Sequence, residues 1–82
     1  MSVEVKLRRV PPENEHEAQK WYVLEGYVDG YPAVTKRDTI NVAALASGAV
    51  TLADRCAKMR ADVAEYYARF MALADLQDPN DL

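Results

Sequence analysis

Residues 3 to 8 read Val3, Glu4, Val5, Lys6, Leu7, Arg8, apolar and charged in strict turn. A period of two belongs to a half-buried strand, here with Val3, Val5 and Leu7 facing a core. Pro11 and Pro12 stop it. Glu13 to Glu17 is polar and acidic and reads as a loop. A second strand runs from Lys20 through Trp21 to Val28. Asp29-Gly30 follows, a pair that suits a two-residue hairpin turn because both central residues need positive φ. The returning strand is Tyr31 to Lys36. Pro32 lacks an amide proton, which makes this an edge strand.

A two-residue turn fixes the register, with Val28 opposite Tyr31 and Gly26 opposite Ala33. One hairpin face then carries Tyr22, Leu24, Gly26, Val28, Tyr31, Ala33 and Thr35. The other carries Trp21, Val23, Glu25, Tyr27, Pro32, Val34 and Lys36. Gly26 and Ala33 are small, so a helix can lie close over the first face, and that face is assigned to the core.

From Asn41 the period changes. Leu45, Ala49, Leu52, Cys56, Met59, Val63, Tyr66, Phe70 and Leu73 recur at spacings of four and three, a heptad-like seam. Asp38, Thr39 or Asn41 can cap its start. On the opposite arc, Asp54 with Lys58 and Glu65 with Arg69 form favourable i,i+4 pairs. Ser47-Gly48 is the weak point. Thr51 to Asp54 resembles a capping box, so a kink or restart is expected there. Asp78-Pro79-Asn80 ends the helix. The fold class is α+β: a three-stranded antiparallel sheet followed by one long amphipathic C-terminal helix. It forms a single domain over 1–82, with a sheet part at 1–38, a helical part at 40–76 and a frayed tail at 77–82.

An eight-residue strand spans about 26 Å. A straight helix from Asn41 to Leu76 spans about 54 Å. One short sheet cannot cover it, and the uncovered seam is a large apolar stripe. Either the helix folds back at Ser47-Gly48 or a second copy covers the stripe. The second option predicts a C2 homodimer through Met59, Val63, Tyr66, Tyr67, Phe70 and Leu73.

Composition narrows the class. Half the 82 residues are apolar, so the chain can fold around one core. No apolar run approaches the roughly 18 residues of a membrane span. The charged N-terminal segment does not read as a signal peptide. Cys56 is the single cysteine, which forbids an intrachain disulfide and fits a reducing, cytoplasmic compartment. It falls on the seam and reads as a small core hydrophobe.

Candidate chemistry is sparse. His16 lies among Glu13, Glu15 and Glu17, but adjacent residues rarely converge on one ion without a folded loop to hold them. Gly26, Gly30 and Gly48 form no phosphate-binding loop. Cys56 has no base near it in sequence. The expectation is a non-enzymatic protein with no metal and no cofactor.

The leading function is a small protein-binding module that occludes a partner's surface. Its contact residues are Trp21, Val23, Glu25, Tyr27, Val34 and Lys36 on the outer sheet face, with Glu13, Glu15 and Glu17 of the acidic loop. Small domains of this kind are frequent among phage or mobile-element inhibitors of host machinery, anti-CRISPR proteins included. No motif in the chain identifies such a family. A nucleic-acid-binding or regulatory domain using the sheet face is the alternative, because Lys6, Arg8, Arg9, Lys20, Lys36 and Arg37 belong to the sheet half. Acids nearby and a net charge of −3 count against it. A structural subunit of a larger assembly is the third reading.

Overall fold

The computed structural model describes residues 3–74. Strand β1 is Val5–Val10, helix α1 Glu15–Lys20, strand β2 Trp21–Val28 and strand β3 Tyr31–Asn41. Helix α2 is Val42–Ser47 and helix α3 Leu52–Ala74. The strands form one antiparallel sheet in the order β1-β2-β3, and α3 packs on one of its faces. This is the expected α+β arrangement. The expected helix end and the tail at 77–82 lie outside the described residues.

The acidic stretch departs from expectation. It contains a short helix, because Asn14 caps it: the Glu17 amide donates to Asn14 Oδ1 at 2.9 Å. Glu15 and Glu17 sit in the first turn, where exposed amides favour negative charge.

The β2–β3 hairpin starts in the expected register, with Val28 opposite Tyr31, but of the two central turn residues Gly30 alone takes positive φ (82°) and Asp29 does not, so the expected turn type is not the one formed. The ladder then slips. Tyr27 faces Thr35, and Gly26 faces Lys36 instead of Ala33. Pro32, Ala33 and Val34 have no partners on β2. The ladder resumes only at Thr35, in the register that brings Arg37 opposite Glu25. The Thr35 hydroxyl donates to the Pro32 carbonyl at 3.0 Å and closes the bulge.

Three unpaired residues are an odd number, so every later β3 side chain changes face. Val34 and Lys36, assigned to the outer face, lie on the helix side. Val34 is fully buried there, and the Lys36 ammonium sits 6.0 Å from the centre of the Tyr66 ring. Ile40 joins the core, and Asp38 reaches Arg55 of α3 at 3.5 Å. Strand β3 also continues to Asn41, past the Lys36 limit, and Asn41 Oδ1 then caps α2 by accepting from the Ala44 amide at 3.2 Å.

The core is Leu24, Val28, Val34 and Ile40 of the sheet against Met59 and Val63 of α3. Gly26 sets the spacing. A methyl group placed on it would lie 2.7 Å from Met59 Cγ and 2.9 Å from Val63 Cγ2. Met59 and Val63 are therefore core residues, unavailable to a dimer interface. Tyr31 extends the core towards the C-terminal half of α3, meeting Tyr67 edge-on at 5.1 Å and Phe70 at 6.2 Å.

The helical region is broken where Ser47-Gly48 stands. Gly48 takes φ 80° as the left-handed cap of α2. Thr51 Oγ1 accepts from the Asp54 amide at 3.2 Å and opens α3. The break shifts the helical phase, which leaves Leu52 39% exposed and off the seam. Lys58 pairs with Asp62 at 2.7 Å in place of Asp54, and Glu65 pairs with Arg69 as expected. Helix α3 is about 34 Å long, and Leu73 near its end and Tyr66 on its flank remain exposed. None of the helices is long and apolar enough to cross a membrane among the described residues.

Gly26→Val should lower the folding free energy by about 2–3 kcal/mol, the cost of overpacking a tight core contact. Gly26→Ala should cost less, because the Met59 side chain is flexible enough to shift. Urea midpoints of the two variants at equal m-values check the order.

Candidate functional site

The register defines the outer sheet face row by row. Lys6, Tyr27 and Thr35 share the first row; Arg8, Glu25 and Arg37 the second; Val10, Val23 and Thr39 the third; Trp21 and Asn41 the fourth. No side chain of Met59 or Val63 reaches this face, since α3 approaches Gly26 from the other side. The outer face is covered by its own side chains.

Glu25 stands at the centre of the face, yet it is 1% exposed. Arg8 and Arg37 close over it from the flanking strands. Arg8 Nε donates to Oε1 at 2.6 Å and Arg37 Nε to Oε2 at 2.6 Å. Each guanidinium keeps its far side in water, and the two side chains are 60% and 64% exposed. Arg8 also lies 4.6 Å from the centre of the Tyr27 ring. The trio carries a net charge of +1. Hydrogen bonds from Arg37 and then Arg8 hold the Glu25 carboxyl below its ordinary 4.5, against the opposing pull of burial. Lys6 pairs with Asp29 at the hairpin end.

At the other end the face opens into a depression of about 350 Å³. The Pro11-Pro12 turn and the start of α1 form one wall, with Glu13, Asn14 and Glu17. Val10, Trp21, Val23, Arg37 and Thr39 form the sheet side. Trp21 is 41% exposed at its rim. A bulky aromatic is stranded there because it opens β2 directly after α1, where the third strand offers only Asn41 opposite it.

The structure thus gathers Trp21, Val23, Glu13 and Glu17 into one depression, with Glu25 and Tyr27 further along the same face. It does not gather Val34 and Lys36, which face α3, and Glu15 is exposed outside the depression. Arg37, Thr39, Asn14 and the two prolines were not among the expected contact residues. The parity of β3 hid Arg37 and Thr39. Of the expected dimer residues, Tyr66 and Leu73 are exposed, Tyr67 and Phe70 are half-buried against Tyr31, and Met59 and Val63 are buried. Cys56 is half-buried against the core.

A carboxyl held low in the folded state stabilises the fold above its unfolded pKa, and that contribution fades as pH falls through the folded value. Glu25→Gln should therefore cost about 1–2 kcal/mol at pH 7, a size set by lost charge-assisted hydrogen bonds to half-exposed arginines. Its stability should also fall less than that of the parent between about pH 5 and pH 3. Asp62, held low by Lys58, titrates in both proteins, so the difference between their urea midpoints isolates Glu25.

Comparison of the chain with protein-family models, with curated proteins and with solved structures finds no match.

Proposed function

We propose that this chain is a non-enzymatic protein-binding module, that it acts by covering part of a partner's surface, and that the outer sheet face makes the contact. The exposure of Trp21 at the rim of a depression on that face carries the reading. Tryptophan, tyrosine and arginine dominate the energetics of protein interfaces, because each couples large contact area to a directed polar or charged group. Here Trp21, Tyr27, Arg8 and Arg37 lie on one surface, with the central Glu25 already paired to both arginines. The face has little net charge to track a phosphate backbone, which favours protein over nucleic acid. The narrower form of the reading is a cytoplasmic inhibitor of host machinery encoded by a phage or mobile element.

A photo-crosslinking residue in place of Thr39, exposed on the outer face, should yield protein adducts in cells, and Trp21→Ala should remove them. The same residue in place of Ala61, exposed on α3, should not yield them. Adducts from position 61 alone, or adducts to nucleic acid lost steeply with salt, would replace this reading with another.

The exposure of Leu73 (68%) and Tyr66 (38%) on the C-terminal half of α3 supports a second reading, a homodimer through that surface. Met59 and Val63 take no part in it. Sedimentation at micromolar concentration should then report twice 9.2 kDa, falling to the single-chain mass in Leu73→Glu. A single-chain mass for the parent protein would remove the dimer and leave the outer-face reading intact.

A further inference from the structure

The depression beside α1 has a narrower chemistry than the rest of the outer face. Part of its wall is apolar: Pro11, Pro12, Val10, Val23 and the exposed side of Trp21. Its volume, about 350 Å³, lies at the small end of ligand sites, so it admits a side chain and not a folded element. Charge then selects among side chains. Glu13 and Glu17 both line the depression, and neither forms an ion pair among the described residues. The cation present, Arg37, already donates to Glu25, a carboxylate that it shares with Arg8. The trio's +1 stands against two free carboxylates, so the local balance is negative. An acidic side chain would meet the two carboxylates of Glu13 and Glu17, against one lining cation, Arg37, that is already shared with Glu25. A neutral one would leave both carboxylates without use.

We propose that this depression receives one basic side chain, arginine or lysine, from the partner protein. The inference rests on the protein-binding reading and adds the chemistry of what is bound. The alkyl stem lies against Pro11, Pro12 and Val23, which suits side chains that bury their stems and keep their heads wet. The cationic head sits between the Trp21 ring, whose face attracts cations, and the Glu13 and Glu17 carboxylates. A surface built this way covers a basic patch on its partner while the arginine-capped centre of the sheet lies alongside.

The test is an NMR titration of the full chain with four capped tripeptides: leucine-X-leucine, with X arginine, lysine, glutamine or glutamate. The arginine and lysine probes should shift the Trp21 indole N–H resonance saturably, and the glutamate probe should not. Glu13→Gln combined with Glu17→Gln should weaken the arginine probe about fivefold, the size of one or two partly exposed cation contacts. Glu15→Gln, outside the depression, should leave it unchanged. No saturable shift with arginine, equal response to the glutamate probe, or an unaffected double variant would overturn the proposal. The crosslinking result separates the two claims. Adducts from position 39 without arginine binding remove only this inference. Arginine binding with adducts confined to position 61 removes only the broader reading.

Discussion

A three-residue bulge at the start of the returning strand decides which residues of this fold face outward. The bulge opens at Pro32, two residues into the strand that returns from the hairpin. The ladder skips three residues instead of one or two. Because three is odd, Val34 and Ile40 turn towards α3 and Arg37 turns away from it. The core and the outer face are both consequences. With the simple register, Ala33 and Thr35 would line the core, and they could not fill the space that Val34 and Ile40 occupy. Arg37 would point at α3, with no carboxylate of β2 beside it.

The same parity explains how a carboxylate survives on the outer face almost without contact with water. A lone buried Glu25 would cost several kcal/mol in lost hydration. Two arginines, one on each neighbouring strand, repay this with charge-assisted hydrogen bonds. Each arginine is itself half in water, so neither bears the full cost of burial. The row also ties the three strands together by side chains, across a sheet whose edges carry Lys6, Arg8, Lys36 and Arg37. Charge on an edge discourages pairing with a stray strand. The arginines therefore cover Glu25, link the strands and guard the edges at once.

Much of the fold was legible because it depends on local periodicity. The β1 alternation, the Asp29-Gly30 turn, the small Gly26 beneath a helix and the break at Ser47-Gly48 all rest on a few adjacent residues. Pro32 was read correctly as a mark of an edge strand, but the bulge that begins there was not foreseen. The missing signal lay further along. Val34 and Ile40 share a parity, and reading the strand on to Asn41 would have shown an apolar set opposed to Thr35, Arg37 and Thr39. Of the candidate site, Trp21, Val23, Glu13 and Glu17 were legible as exposed or aromatic oddities. Their convergence was not, because it depends on α1 folding back beside β2, and that depends on a single cap at Asn14.

Size closes the argument. A domain this small has one core, and one sheet face with one helix suffices to build it. The second sheet face has no layer above it, so it must be made tolerable to water by its own side chains. Over most of its area the arginines, threonines and Tyr27 achieve this. At the fourth row they do not, because β1 ends at Val10 and the chain leaves through Pro11 and Pro12 before α1 begins. Trp21 is left with neither a strand nor a helix beside one of its faces. A tryptophan is a poor choice for a position that only needs to meet water, since serine or lysine would do so without exposing an aromatic ring. Its exposure where the fold does not bury it, next to Glu13 and Glu17, which form no ion pair among the described residues, is the observation behind the proposed contact with another molecule.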